Sequence, residues 1–357
     1  MKTVVLGMSG GVDSSVSALL LKQQGYNVIG LFMHNWEEKD DNGFCTAEQD
    51  FNDVKRVAEY LDIPYYSVNF AKQYADKVFS YFLEEYRLGR TPNPDVLCNR
   101  EIKFGPFLDY ARAIGADYIA TGHYCDISHI NGKHCLLKAK DKNKDQTYFL
   151  HQLSQNQLQD VLFPLGKLTK PEVRNIATEY NLPTAEKKDS TGICFIGERK
   201  FKDFLQQYLP NQEGEIVTVD GHIVGKHSGL MYYTLGQRKG MRLGGSEDGQ
   251  GRWFVVDKDI ANNRLIVSHG DEAPLMSVSL MADKLNWIPD SPTTDKFTCY
   301  AKFRYRQSEQ KVDVTLKGGE AVVRFYEKQR AITPGQYCVF YDEEKCLGGG
   351  VIETVEK

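Results

Sequence analysis

The residues best suited to chemistry fall in three short stretches. In Ser9-Gly10-Gly11-Val12-Asp13-Ser14-Ser15, two glycines stand among three hydroxyls and a carboxylate. Glycine lets the backbone approach a ligand closely and take unusual φ. A helix starting here offers free N–H groups and the positive end of its dipole to an anion. The chemistry is phosphate binding. In Asn93-Pro94-Asp95-Val96-Leu97-Cys98-Asn99, a carboxylate and a thiol follow Pro92 and Pro94. Two prolines so placed exclude a helix interior or a central strand. A rigid loop is expected, leading into a helix capped by Asp95 with Cys98 in its first turn. There the dipole favours thiolate, and Arg100 and Lys103 add positive charge. A buried structural cysteine is the plainer alternative. The third stretch, Ser190 to Gly197, carries Cys194 between apolar neighbours, which alone reads as core.

Strands and helices must carry these groups. Thr3 to Met8 is a short apolar run, read as a buried strand. Val16, Leu19, Leu20 and Leu21 mark a helix face after the loop, with Gly25 at the C-cap. Tyr26 to Met33 and Tyr65 to Phe70 are further strands. Thr46 to Leu61 and Tyr74 to Leu88 read as helices. Gly115 to Tyr124 is a strand ending in Gly122-His123, where Gly122 suits close approach to a ligand. This alternation implies a doubly wound parallel sheet, with ligands at the carboxyl ends of its strands. Cys125 to Ala139 reads as a hairpin about Asn131-Gly132. Lys138, Lys140, Lys142 and Lys144 form a basic run, either a solvated face or a phosphate contact. Thr169-Lys170-Pro171-Glu172 starts a helix with a capping box. From Gly214 onward, short alternating runs with tight turns predict an all-β module, plausibly a small barrel.

The chain has 357 residues, 41% hydrophobic and 26% charged, with a formal net charge of -4. This is ordinary globular composition for two or three domains. A nucleic-acid partner must then be met by local basic patches. The first residues, MKTVVLGMSGG, are too soon broken for a signal peptide or membrane span, so a cytoplasmic location is expected. Eight cysteines include no C-x-x-C pair, which argues against structural zinc and leaves no metal ligand set.

The loop has neither the Walker A pattern nor G-x-G-x-x-G. SGGVDSS resembles instead the pyrophosphate loop of PP-loop ATPases, which adenylate a substrate oxygen. Joined in order by NPDVLCN, GADYIATGHY, KDQTYFL, STGICFIG, GLMYYTLGQRKG, FRYRQ and TPGQ, it resembles the MnmA/TrmU family of tRNA 2-thiouridylases over nearly the whole chain. The resemblance implies a PP-loop catalytic domain over 1–208, a small central tRNA-binding domain over 209–275 and a β-barrel-like domain over 276–357. It implies that Gly7, Met8, Ser9, Gly10, Gly11, Val12, Asp13, Ser14, Met33 and Gly122 hold ATP, with Mg²⁺. Asn93, Pro94 and Asp95 would face the wobble uridine. Cys194 would carry a persulfide, Cys98 would be the second catalytic thiol, and Asp95 an acid or base. His123, Lys144, Asp145, Gln146, Arg304, Tyr305 and Gln336 would touch tRNA. A relay protein fed by a cysteine desulfurase would bring sulfur, and the free enzyme would be a monomer. Two sulfur routes stay open: direct persulfide attack, or sulfide released by Cys98. Three other readings compete. A PP-loop ligase would keep the loop without needing paired cysteines. An RNA-binding protein could carry a vestigial nucleotide site. Asp95, Cys98 and Cys194 could ligate an iron–sulfur cluster.

Overall fold

The computed structural model describes residues 1–36, 46–189, 201–244 and 251–357. The first part of the chain forms β1 (Thr3–Gly7), β2 (Asn27–His34), β3 (Tyr65–Asn69), β4 (Tyr118–Thr121), β5 (Cys125–Ile130), β6 (Lys133–Lys138) and β7 (Val161–Leu162). Five of these make one parallel sheet in the order β3-β2-β1-β4-β7. The order reverses between β1 and β4, and the crevice at their carboxyl ends is where such sheets bind ligands.

Alternation along β1 builds the two layers. Val4 and Leu6 pack with Val16, Leu19, Val54, Val57, Ala58, Val173 and Ala177, from helices Val12–Gln23, Thr46–Leu61 and Lys170–Glu179. Val5 points the other way, into a cluster with Tyr74, Val78, Phe82, Cys98 and Phe107. The helix expected from Tyr74 to Leu88 runs from Ala71 to Arg87, with a π turn at Ala75–Phe79. A second π turn, Asn99–Lys103, directly follows the short helix Pro94–Cys98. Wide turns of this kind recur at functional sites.

The central strands β8 (Gly214–Thr218), β9 (Ile223–His227), β10 (Trp253–Asp259) and β11 (Arg264–His269) pair in the order β10-β11-β8-β9. After them come β12 (Met276–Trp287), β13 (Lys296–Lys302), β14 (Gln310–Lys317), β15 (Glu320–Arg330), β16 (Tyr337–Asp342) and β17 (Lys345–Glu356). They form an antiparallel barrel in the order β12-β15-β14-β13-β16-β17, closed by β12 on β17. Strand β12 is absent from the sequence reading. Register shifts after Ser277, Met281 and Asp283 break the period-2 pattern that would have marked it.

The β5–β6 hairpin turns at Asn131 and Gly132, both left-handed, as its sequence requires. It does not extend the parallel sheet. Leu136 and Leu137 pair with Cys346 and Lys345 of β17, so the hairpin joins the barrel. Among the described residues, no helix is long and apolar enough to cross a membrane.

Candidate functional site

The Ser9–Ser15 loop is braced by hydrogen bonds among its own residues and by Thr184, whose hydroxyl donates to Ser15 Oγ at 2.8 Å. Ser9 N donates to Ser14 Oγ at 3.2 Å, and Ser14 Oγ and Ser15 Oγ donate to Gly11 O at 3.1 and 2.9 Å. Gly10 has φ +73°, and a Cβ there would lie 2.4 Å from the Asp50 carbonyl oxygen. Gly11 is the N-cap and supplies no side-chain cap, so the first N–H groups of helix Val12–Gln23 stay open to an anion. The far end closes as expected: Gly25 N donates to Lys22 O and Tyr26 N to Leu21 O, a Schellman pair.

Asp13 is bound by groups that sequence reading missed. Lys170 Nζ contacts its two carboxylate oxygens at 2.7 and 2.9 Å, and the Tyr124 hydroxyl donates to one at 2.7 Å. Lys170 also meets Asp189 at 2.8 Å, and Asp189 takes Lys144 and Arg174 at 2.8 Å each. Burial works to raise the Asp189 carboxyl, but Lys144 and Lys170 hold it down to about 2. Lys170 is the first residue of helix Lys170–Glu179, whose Thr169–Glu172 capping box forms. A cation at that end opposes the helix dipole, so it needs carboxylate partners. That was the available signal.

Gly7, Met33 and Gly122 stand at or beside the carboxyl ends of β1, β2 and β4. A Cβ on Gly7 would lie 3.5 Å from Phe107 and 3.8 Å from Met33. The close approach expected of Gly122 is to protein: its Cβ would sit 3.1 Å from Ser14 N and 3.2 Å from the Asp13 carbonyl carbon. It lets β4 abut the phosphate loop. His123 follows it, 8% exposed, with Nδ1 2.7 Å from Thr121 Oγ1 and its ring 6.2 Å from Phe104. Burial, aided by the Lys103 charge, drives its pKa well below the ordinary value, so the ring is neutral.

The helix Pro94–Cys98 departs from expectation at its start. Asn93, not Asp95, is the N-cap residue, because Pro94 with its fixed φ takes the first helical position. Asp95 is second and Cys98 fifth, beyond the first turn. The Asn93 Oδ1 is buried without a hydrogen-bond partner, leaving an acceptor to be satisfied. Asp95 reaches solvent, with protein atoms crowded around its carboxyl group. That crowding raises its carboxyl pKa, and Lys103 pulls it back. Cys98 is 4% exposed, in the cluster with Val5 and Phe107. Val96 packs instead with Tyr148, Tyr337 and Tyr341, on the barrel side. Cys194 and the rest of Ser190–Gly197 lie outside the described residues, and with them the pairing of Cys194 with Cys98 and the iron–sulfur alternative.

The residues expected to touch tRNA all have partners within the chain. Lys144 meets Asp189. Asp145 accepts from Ala139 N at 3.0 Å and Thr147 Oγ1 at 2.7 Å. Gln146 exchanges bonds with the Tyr124 backbone at 2.9 and 2.8 Å. Arg304 donates to Ala331 O and to Thr333 Oγ1, and burial lowers its pKa. The Tyr305 hydroxyl donates to Lys144 O, and its ring lies 4.4 Å from that of Phe149. Gln336 donates to Thr91 O at 2.8 Å and Pro92 O at 3.3 Å. The basic run is paired too: Lys138 with Glu309, Lys140 with Glu172 and Lys142 with Glu344. Beside it lies a polar cavity of about 410 Å³, lined by Lys142, Asn143, Asp145, Lys302, Tyr305 and the exposed Arg306 among others.

Family models match the chain in three consecutive blocks. A tRNA methyl transferase HUP domain matches residues 2–198, a tRNA methyl transferase PRC-barrel domain 202–269, and an aminomethyltransferase beta-barrel domain 277–352. A tRNA-specific 2-thiouridylase MnmA from Oceanobacillus iheyensis is 61% identical over 99% of this chain and 95% of its own. The protein of that name from Shouchella clausii is 59% identical over 99% of this chain and 97% of its own. Among solved structures, a 4-thiouridine synthetase–RNA complex with bound ATP aligns with 58% of this chain and 50% of its own, at a TM-score of 0.36 and 15% identity. The three blocks and the identity across nearly the full length have one consequence: the chain belongs to the tRNA-specific 2-thiouridylase (MnmA) family.

Proposed function

We propose that the protein is an ATP-dependent tRNA-uridine 2-sulfurtransferase that exchanges oxygen for sulfur at C2 of the wobble uridine. One observation carries the reading beyond family membership. Gly122 abuts the Ser9–Ser15 loop, and the ring of His123 beside it lies 6.2 Å from that of Phe104, which directly follows the π turn after the Pro94–Cys98 helix. This supports a reading in which the glycine loop receives phosphate and the carboxylate–thiol helix works beside it.

The uridine C2 carbonyl is a poor electrophile with a poor leaving group. Its oxygen attacks the α-phosphorus of ATP and displaces pyrophosphate, which turns that oxygen into part of a good leaving group, AMP. Sulfur then adds at C2 and AMP departs. In this scheme, Gly7 to Ser14 receive the phosphates at the open helix start, with Met33 and Gly122 completing the nucleotide wall. Beside Asp13, the carboxylate of the loop, a nucleotide-bound Mg²⁺ would supply charge neutralisation. Asn93, Pro94 and Asp95 face the base. The unsatisfied Asn93 Oδ1 suits a base N–H, and the raised Asp95 carboxyl suits proton exchange at the base edge. Sulfur arrives as a persulfide on Cys194, delivered by a relay protein that a cysteine desulfurase feeds. Either the terminal persulfide sulfur attacks C2 and the Cys98 thiolate then attacks Cys194 Sγ, breaking the S–S bond and leaving the sulfur on C2, or Cys98 attacks Cys194 Sγ first and releases sulfide, which attacks C2. Both routes leave a Cys98–Cys194 disulfide, which a thiol reductant reopens. The RNA strand runs past Lys144, Asp145, Arg304 and Tyr305, beside the polar cavity where exposed Arg306 adds a cation.

The test is mass analysis of tRNA nucleosides after incubation with ATP and a persulfide donor. The expected product is a uridine with one oxygen replaced by sulfur, formed only when ATP is present, with pyrophosphate release that depends on tRNA. Pyrophosphate release without tRNA, on a small carboxylic acid, would point to a ligase instead.

A further inference from the structure

Residues 89–92 lead directly into the helix Pro94–Cys98, and downstream domains hold their backbone. The Gly89 carbonyl accepts from Lys258 Nζ of β10 at 2.9 Å. The Thr91 carbonyl accepts from Gln336 Nε2 at 2.8 Å, and the Pro92 carbonyl from the same nitrogen at 3.3 Å. Thr91 N donates to Pro334 O at 3.0 Å. The Arg90 guanidinium forks onto Glu353 of β17, with Nη1 to Oε1 at 2.8 Å. Gly335 takes φ +89°, and a Cβ there would lie 3.1 Å from Arg90 Cβ, Glu85 Oε2 and the Thr91 carbonyl carbon. The barrel turn therefore seats directly on the loop. Lys258 deepens the point. Burial lowers its pKa to about 8, and among the described residues no carboxylate pairs with it. A half-buried amine spent on one carbonyl marks a contact that fixes geometry.

We infer that Lys258, Gln336 and Glu353 are positioning residues: from the central domain and the barrel they clamp residues 89–92, and so set Asp95 and Cys98 against the substrate. The inference rests on the proposed thiolation. It gives Gln336 a role through its Nε2, which donates to the loop carbonyls. The two domains placed to grip RNA thus reach the reacting groups through one short peptide. A misplacement of about 1 Å at such a peptide costs roughly 10- to 100-fold in rate.

The experiment compares full-length wild type with Gln336→Glu, Glu353→Gln and Lys258→Met. Four quantities are read: single-turnover thiolation at saturating tRNA and ATP, tRNA affinity, ATP affinity and melting temperature. Gln336→Glu keeps size but loses the donor, so the saturating rate should fall roughly 10- to 100-fold with both affinities within about twofold. Because Arg90 and Glu353 act as one pair, the double variant Arg90→Met, Glu353→Gln should lose no more than the worse single. A raised tRNA Kd with an unchanged saturating rate would make Gln336 an RNA contact and overturn the inference. Unchanged rates in all three variants would overturn it as well. Lys258→Met touches a different domain, so a folding defect in one barrel variant does not spare the idea. If wild type itself fails to thiolate tRNA, the proposed activity falls, a result separate from any difference among variants.

Discussion

The loop at Ser9–Ser15 and the loop before Pro94 are held in different ways. The backbone of the glycine loop is braced locally, with Ser9, Gly11, Ser14 and Ser15 bonded to one another across at most five residues, while Lys170 and Tyr124 reach the Asp13 carboxylate and Thr184 reaches Ser15 Oγ from far along the chain. The loop before Pro94 has partners 169, 245 and 263 residues away, at Lys258, Gln336 and Glu353. A phosphate group is the same in every nucleotide, so a local nest of donors suffices to meet it. A chosen base in a folded RNA is recognised only when distant surfaces agree. On the proposed function, holding the carboxylate–thiol helix through the central domain and the barrel would tie chemistry to the correct substrate.

The sharpest contrast comes from Cys98→Ser. On the proposed route it removes thiolation to background, because an alcohol at neutral pH neither attacks nor resolves a persulfide. ATP–pyrophosphate exchange in the presence of tRNA should persist, since the phosphate loop is untouched. Near wild-type thiolation by this variant would refute the thiol's role.

Asp13→Ala should produce the reverse pattern. Lys170 and Tyr124 lose their shared acceptor, and the loop loses its charge balance. Exchange should drop roughly 10²- to 10³-fold, the scale for removing a preorganised charge-stabilising group. Filter binding of tRNA should stay near wild type. Equal losses in exchange and tRNA binding would mean the two loops are not independent.

Gly335→Ala tests the long-range side. Its left-handed φ strains any side chain, and three contacts at 3.1 Å require the neighbours of an added methyl group to give by a few tenths of an ångström. A stability loss of about 1–3 kcal/mol by urea unfolding is expected, together with slower thiolation. A variant as stable and fast as wild type would show that the barrel turn yields freely.

The smallest effect is electrostatic. The folded-state pKa of Asp189 is depressed to about 2 from 3.8, by Lys144 and Lys170 against the opposing pull of burial. Its contribution to stability is therefore present above pH 3.8 and lost as pH falls toward 2. Asp189→Asn should lower the urea midpoint at pH 6, and the gap to wild type should narrow steadily below pH 4. A gap that does not change with pH would remove the carboxylate from the network.

What sequence alone determined was whatever repeats locally. The buried run Thr3–Gly7, the Schellman end at Gly25, the Thr169–Glu172 capping box and the Asn131-Gly132 turn each follow from a few adjacent residues, and each stands as read. The strand–loop–helix arrangement around Gly10 and Gly11 was legible for the same reason. Tertiary structure decided the rest. It carried the β5–β6 hairpin to the barrel, because β17 offered an edge that no spacing in the sequence announces. It drew Lys170 under Asp13 and turned Gln336 onto Thr91, because a buried donor takes the nearest acceptor in space whatever the distance along the chain. It also moved the start of the Cys98 helix to Asn93, where the fixed φ of Pro94 outweighed the capping tendency of Asp95.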